Sequence, residues 1–332
     1  MTKYRLPLPS RQEMALAVIT MFWGGTYYVL HVALQTSGPF FFVAVRFLVA
    51  AFFVILLTGK RCLIGITRQE IINGSLIGFS LVCGYLLQLK GLETITSSRS
   101  AFLTALYVPL VPLMQWIFLR KTPHVMSILG LILAFTGLIF LAGPQGGGIS
   151  LSHGDVLTIL GTVAFSIEIL LISVYALQAD SRRITIVQLV AGGIVAFIGM
   201  PLSGESVPPL AWGWVSCVLA MGLLSAAVQL VMNWAQKSVP ATRATVIYST
   251  EPIWGGLIGH FMGEALSPTT LLGAFLIICG VIASELRPRK LWLRRTFRGA
   301  VARDRMPAMG DLWVRLPDDP PLRSRSGAEK KP

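Results

Sequence analysis

The sequence has 332 residues, of which 54% are hydrophobic and only 13% charged, with a formal net charge of +13. A soluble domain carries about 25% charged residues and about 45–50% apolar ones, so a water-soluble globular fold is excluded. The basic excess does not call for a nucleic-acid partner, because Lys and Arg flank apolar runs or gather after Leu286, where membrane topology accounts for them.

In chain order, residues 1–13 form an N-terminal tail carrying Lys3, Arg5 and Arg11. The apolar run Met14–Leu30 lacks a small-residue cleavage site and is long enough to stay as a first span. Since a spanning helix needs about 20 mostly apolar residues, further spans are predicted at Pro39–Leu57, Ile71–Leu89, Ala101–Leu119 and Met126–Ala142. A second set follows at Val156–Leu177, Ile184–Leu202, Ala211–Val231, Ala244–Met262 and Thr270–Leu286. The expected fold is an all-α membrane protein of ten transmembrane helices. Residues 287–332 hold thirteen basic and five acidic residues and read as a disordered cytoplasmic tail able to touch anionic headgroups.

Lys60, Arg61, Arg68, Arg120, Lys121, Arg182 and Arg183 fall in connections on the side of the N-terminus. Lys90, Arg99, Lys237 and Arg243 are assigned to the opposite side. The asymmetry places both termini in the cytoplasm. Short loops and small size suggest a bacterial inner membrane, with a multi-pass chain acting as a monomer or a homodimer.

Cys83, Cys217 and Cys279 lie in apolar runs and Cys62 in a basic loop, without a CxxC pair. Neither a disulfide framework nor a zinc site is indicated. His31, His124, His153 and His260 are scattered, and no metalloprotease, phosphate-loop, dinucleotide or nucleophile-elbow motif occurs. The reading is therefore a non-enzyme with no catalytic residues, no metal and no cofactor.

An offset of 143 residues superposes Phe22 on Phe165, Ala101 on Ala244, Pro109 on Pro252, Gly130 on Gly273 and Gly137 on Gly280. The chain thus divides into repeats at 14–142 and 154–286, each with five predicted spans. Five is odd, so the second copy starts on the other side of the membrane. Inverted repeats of this kind mark transporters with a substrate site near the midplane.

Arg46, Glu168 and Glu251 fall within apolar runs, where ionisable groups are costly and face the bundle interior. Arg46 and Glu251 each lie about seven residues into a span, roughly 11 Å deep at 1.5 Å per residue. They are expected to form an ion pair, as a gate or as a packing lock between the repeats. Glu168 can exchange a proton, bind a cationic group, or sit protonated on a backbone carbonyl. Polar side chains at helical spacing outline a cavity, with Gln88, Tyr107, Gln229 and Tyr248 as its favoured lining; the alternative is interhelical glue. Trp23, Tyr27 and Trp254 lie inside their spans as candidate walls. Pro109 and Pro252 are candidate hinges.

Trp23-Gly24-Gly25-Thr26, Pro39 with Arg46-Phe47, and Ala101-Phe102-Leu103 leading to Pro109 recur in order with Gly154-Asp155, Glu251-Pro252, Gly263-Glu264, Gly273 and Gly280. From about Met14 to Glu285 the chain resembles the drug/metabolite transporter superfamily, with two EamA domains. The resemblance implies a five-plus-five bundle that exports or exchanges small metabolites such as amino acids by alternating access. One departure is Arg120-Lys121 where the second repeat has Gly263-Glu264; the family often has an acid at both places. The expected partners are the lipid bilayer, a small-molecule substrate and protons. Multidrug export of amphipathic cations is the alternative, and a membrane receptor or scaffold a weaker one.

Overall fold

Capping chemistry fixes where the helices begin. Ser10 and Glu13 form a reciprocal capping box at the start of α1 (Arg11–Ala33), and Thr67 and Glu70 form another at the start of α3 (Arg68–Leu92). Each satisfies amide donors that a helix N-terminus leaves free. Between them, α2 (Pro39–Thr58) opens on a proline, which has no amide hydrogen to lose there. The computed structural model describes residues 10–120, 122–123, 125–142, 144–145, 148–149, 151–175 and 179–285. The N-terminal residues 1–9, Lys121, His124, Leu177 and the basic tail, all parts of the sequence reading, lie outside them.

The chain continues through α4 (Ser97–Thr104), α5 (Tyr107–Leu119) and α6 (Val125–Ala142). A hairpin of two-residue strands, β1 (Pro144–Gln145) and β2 (Gly148–Ile149), leads into α7 (His153–Tyr175). Then follow α8 (Ser181–Leu202), α9 (Trp212–Ala235), α10 (Ala241–Tyr248), α11 (Glu251–Phe261) and α12 (Pro268–Glu285). Adding 143 to the bounds of α1–α6 reproduces those of α7–α12 to within two residues, and α6 maps onto α12 without error. The repeat inferred from side chains is therefore a repeat of helices.

Packing obeys the same symmetry. α1 lies against α9 as α7 lies against α3, and α1 against α11 as α7 against α5. α4 meets α11 as α10 meets α5, and α3 meets α8 as α9 meets α2. α2–α8 and α6–α12 pair across the symmetry operation itself. At the α6–α12 crossing a Cβ on Gly137 would stand 2.6 Å from the Gly273 carbonyl oxygen, and one on Gly280 2.6 Å from that of Gly130. The backbones touch there, as small residues permit in membrane bundles.

Seven helical segments, with 97–119 taken together, are long and apolar enough to cross a membrane. α6 and α12 are shorter apolar helices. The segment expected as a single span near the C-terminus is broken into α10 and α11. Large apolar side chains such as Phe52, Leu56, Phe79, Phe197, Phe275 and Ile282 point outward. That surface suits hydrocarbon and not water.

In each repeat the helix is broken just upstream of a proline ring. A proline at position i removes the amide that would bond to i−4 and crowds that carbonyl. For Pro109 and Pro252 those positions are Ala105 and Tyr248, where α4 and α10 end. Bonding tightens there: the Val108 amide donates to the Ala105 carbonyl at 3.1 Å, and the Ile253 amide to Thr250 at 3.2 Å.

The Arg243 guanidinium lies 3.2 Å from Glu13 at the start of α1. The α9–α10 connection, with Lys237 and Arg243, therefore belongs to the face where α1 begins, correcting the assignment of those two residues. Lys90 and Arg99 remain opposite, and the basic asymmetry between the faces grows.

The opposite face is held by carboxylates. Asp155 caps α7 together with Ser152 and receives a bidentate pair from Arg99 on α4, at 2.6 and 2.8 Å. Glu205 accepts the Phe40 and Phe41 amides at the start of α2. Glu264 accepts the Ser97 amide at 2.9 Å and the Ser98 amide at 2.8 Å, joining the α11–α12 connection to the start of α4. Partial burial raises the Glu264 pKa, but the hydrogen bonds from Ser98 and Ser97 outweigh it and hold the carboxyl below the ordinary glutamate range. A depressed folded value means the contribution to stability is complete above the unfolded pKa of about 4.3 and is lost as pH falls through the folded value. Glu264→Gln is accordingly expected to melt below wild type at pH 7, with the gap closing in acid. Thermal melts in detergent from pH 3 to 7 read this directly; a gap that widens in acid contradicts it.

Candidate functional site

The helix break in the second repeat puts Glu251 at the first position of α11, where an acid is favoured by the unpaired amides and the helix dipole. It is 1% exposed. Tyr27 on α1 donates its hydroxyl to Oε1 at 2.6 Å, and Tyr107 at the start of α5 donates to Oε2 at 3.1 Å. The Gln88 amide donates to Tyr27 at 3.4 Å and to Thr104 at 2.9 Å, and the Thr104 hydroxyl returns to the Ser100 carbonyl. A Cβ on Gly24 would lie 2.5 Å from the Glu251 carbonyl oxygen, so glycine is what brings α1 this close to the broken helix. The network draws on α1, α3, α4 and α5 from one repeat and α11 from the other.

A second polar centre surrounds Arg46 on α2, 2% exposed. Its Nε donates to Ser225 Oγ at 2.7 Å, and its Nη2 donates to the Tyr85 hydroxyl at 3.3 Å. The guanidinium carbon lies 4.5 Å from the Tyr85 ring centroid, a cation–π distance. Tyr85 is itself fixed edge-on between Phe47 and Phe165, at 5.5 and 5.2 Å. Arg46, Tyr85 and Ser225 line a small cavity with Trp23, Thr26, Phe47, Leu224, Val228 and Gln229; its volume is about 10 Å³. That is room for about one water, so the site is closed in this conformation.

Arg46 and Glu251 are not paired. Among the described residues neither has a salt-bridge partner; each is bound to neutral groups instead. The expectation failed because depth was counted from the start of each span. α2 begins beyond the end of α1, whereas α10 begins beside Glu13 at the start of α1. Equal run-in from opposite faces gives different depths.

The remaining candidates divide. Trp23 and Gln229 line the cavity, and Gln229 also accepts from Gln188 at 2.7 Å. Tyr27, Gln88 and Tyr107 belong to the Glu251 network. Tyr248 packs edge-on against Trp23 at 6.1 Å and accepts from Gln236. Trp254 is partly exposed and is not among the cavity residues. Glu168 on α7 is fully buried, with the Gln229 side chain near its carboxyl and no backbone group or cationic side chain bonded to it among the described residues. The carbonyl bond considered for it is absent there. Tyr85 and Ser225 complete the Arg46 site; Ser225 stands one turn before Gln229 on α9, in the same polar stripe of the sequence. Among the described residues no group of three or more His, Cys, Asp or Glu is arranged to hold a metal.

Two symmetry-related helix sets with ionisable groups buried between them define a multi-span integral membrane protein of the transporter class. The EamA-like transporter family model matches residues 12–143 and again 152–285, and the chain belongs to that family. A curated relative in Archaeoglobus fulgidus, described as an uncharacterized transporter, is 29% identical over 280 residues, covering 83% of this chain and 86% of the relative. The uncharacterized inner membrane transporter YedA of Escherichia coli strain K12 is 26% identical over 296 residues, covering 82% and 90%. A solved structure aligns with a TM-score of 0.63 at 17% identity, over 83% of this chain and 99% of that one; it shares the fold. The family and these relatives are transporters, not enzymes.

Proposed function

We propose that the protein is a secondary transporter that exports or facilitates small metabolites, amino acids or similar molecules, by alternating access. Ten spans, in two inverted five-span repeats with both termini cytoplasmic, carry it across a bacterial inner membrane, the membrane in which the similar E. coli transporter YedA resides. The observation that supports this reading best is the small cavity between the repeats, apolar over most of its wall with a few polar groups set into it. It collects Trp23 and Arg46 from one repeat and Ser225 and Gln229 from the other. Rocking of one repeat against the other would open it to alternate faces. Purified protein in liposomes, tested with pooled amino acids and amphipathic cations at several pH values, measures the activity. Absence of flux across that panel counts against transport.

Export of amphipathic cations is the second reading, and the buried carboxyl of Glu168, which no cationic side chain pairs with among the described residues, favours it. The same residue is the candidate proton carrier. If Glu168 couples transport to protons, Glu168→Gln is expected to flatten the pH dependence of flux. Full retention of that dependence in the variant removes Glu168 from the coupling.

A further inference from the structure

We propose that Arg46 is the docking group for a carboxylate on the transported molecule. This deepens the transport reading and rests on it. Removing a guanidinium from water without a counter-ion is strongly unfavourable, and such groups within membranes face a partner or a pathway. Here no acid answers Arg46 among the described residues. Glu251 is occupied by Tyr27 and Tyr107, and neither oxygen of Glu168 is hydrogen-bonded to it.

The group is nonetheless held in one orientation. The Ser225 hydroxyl gives its own proton to the Met221 carbonyl at 2.7 Å, which leaves a lone pair for Arg46 Nε. Tyr85 takes Nη2 and lies beneath the guanidinium plane. Nη1 is left buried with no hydrogen-bond partner, on a residue that lines the cavity. A planar fork with a free donor, neutral supports and an uncompensated charge matches a carboxylate better than any uncharged group. An ammonium on the same face would meet like charge.

The test is calorimetric titration of the purified full-length chain in detergent with isovalerate, phenylacetate and L-leucine, each against its primary amide. At least one acid is expected to bind at least tenfold more tightly than its amide. Arg46→Gln should erase that preference and Arg46→Lys should keep part of it. Amides that bind as well as their acids overturn the proposal, as does an acid preference that survives in Arg46→Gln. Heats for all three acids no larger than those into empty micelles overturn it too. The wild-type comparison stands even if a variant does not fold. Flux in liposomes without any preference for acids would leave transport in place and remove this assignment. Acid binding that depends on Arg46 without any flux would do the reverse.

Discussion

Glu251→Ala is expected to lower stability by roughly 2–6 kcal/mol, because two buried phenol hydroxyls lose one acceptor at about 1–3 kcal/mol each. Tyr27 lies on α1 and Tyr107 on α5, so the carboxylate joins both of these helices to α11. Gly24 brings the backbones so close that α1 cannot move inward to compensate. Glu251→Gln should fall between, since one amide oxygen can accept from one tyrosine while the amide nitrogen faces the other. Removing the whole network at once, with Tyr27→Phe, Tyr107→Phe and Glu251→Leu, should recover part of the loss, because apolar replacement of every partner leaves nothing unsatisfied. Thermal unfolding in a fixed detergent ranks the four proteins. If the triple variant is the least stable of the set, the carboxylate is not the organising group.

The second large effect is a pair of effects that should match. Alanine at Gly137 or at Gly280 would drive a Cβ to 2.6 Å from a carbonyl oxygen on the facing helix, and to 2.8 or 2.7 Å from an amide nitrogen. These are backbone atoms and cannot rotate away, so α6 and α12 must separate. Overpacking of this kind costs about 1–3 kcal/mol. The two sites are related by the repeat, so the two alanines should cost the same within about 0.5 kcal/mol. The double variant should cost less than the sum, because one separation relieves both clashes and neighbouring sites couple. A neutral alanine at either position would mean that the helices do not cross there.

Much of this was legible in the sequence. The 143-residue offset, carried by Pro109/Pro252 and Gly137/Gly280, predicts the repeat that all six helix pairs display. The starts of α1 and α3, three residues ahead of the runs at Met14 and Ile71, are set by polar capping groups that an apolar count passes over. The site was less readable. In a membrane bundle both the lipid-facing and the core-facing sides are apolar, so periodicity does not reveal which side chains meet. Tyr85 and Ser225 were therefore visible as polar residues but not as partners of Arg46. The Arg46–Glu251 pairing went wrong for a geometric reason, since distance along a span says nothing until the direction of the span is fixed. Trp254 shows the same limit, because an aromatic at mid-span can face either way.

Arg46, Glu168 and Glu251 stand opposite Leu189, Gly25 and Val108 in the other repeat. Had the same bundle been assembled from two identical five-span chains, every buried charge would occur twice about one axis. Two guanidiniums would then crowd the cavity that now holds one, with their repulsion undamped by water. Joining the halves in a single chain removes that constraint, so each half can lose the charges the other keeps. A symmetric scaffold thereby encloses a chamber with a distinct chemical polarity, and a bound molecule has one way round to lie.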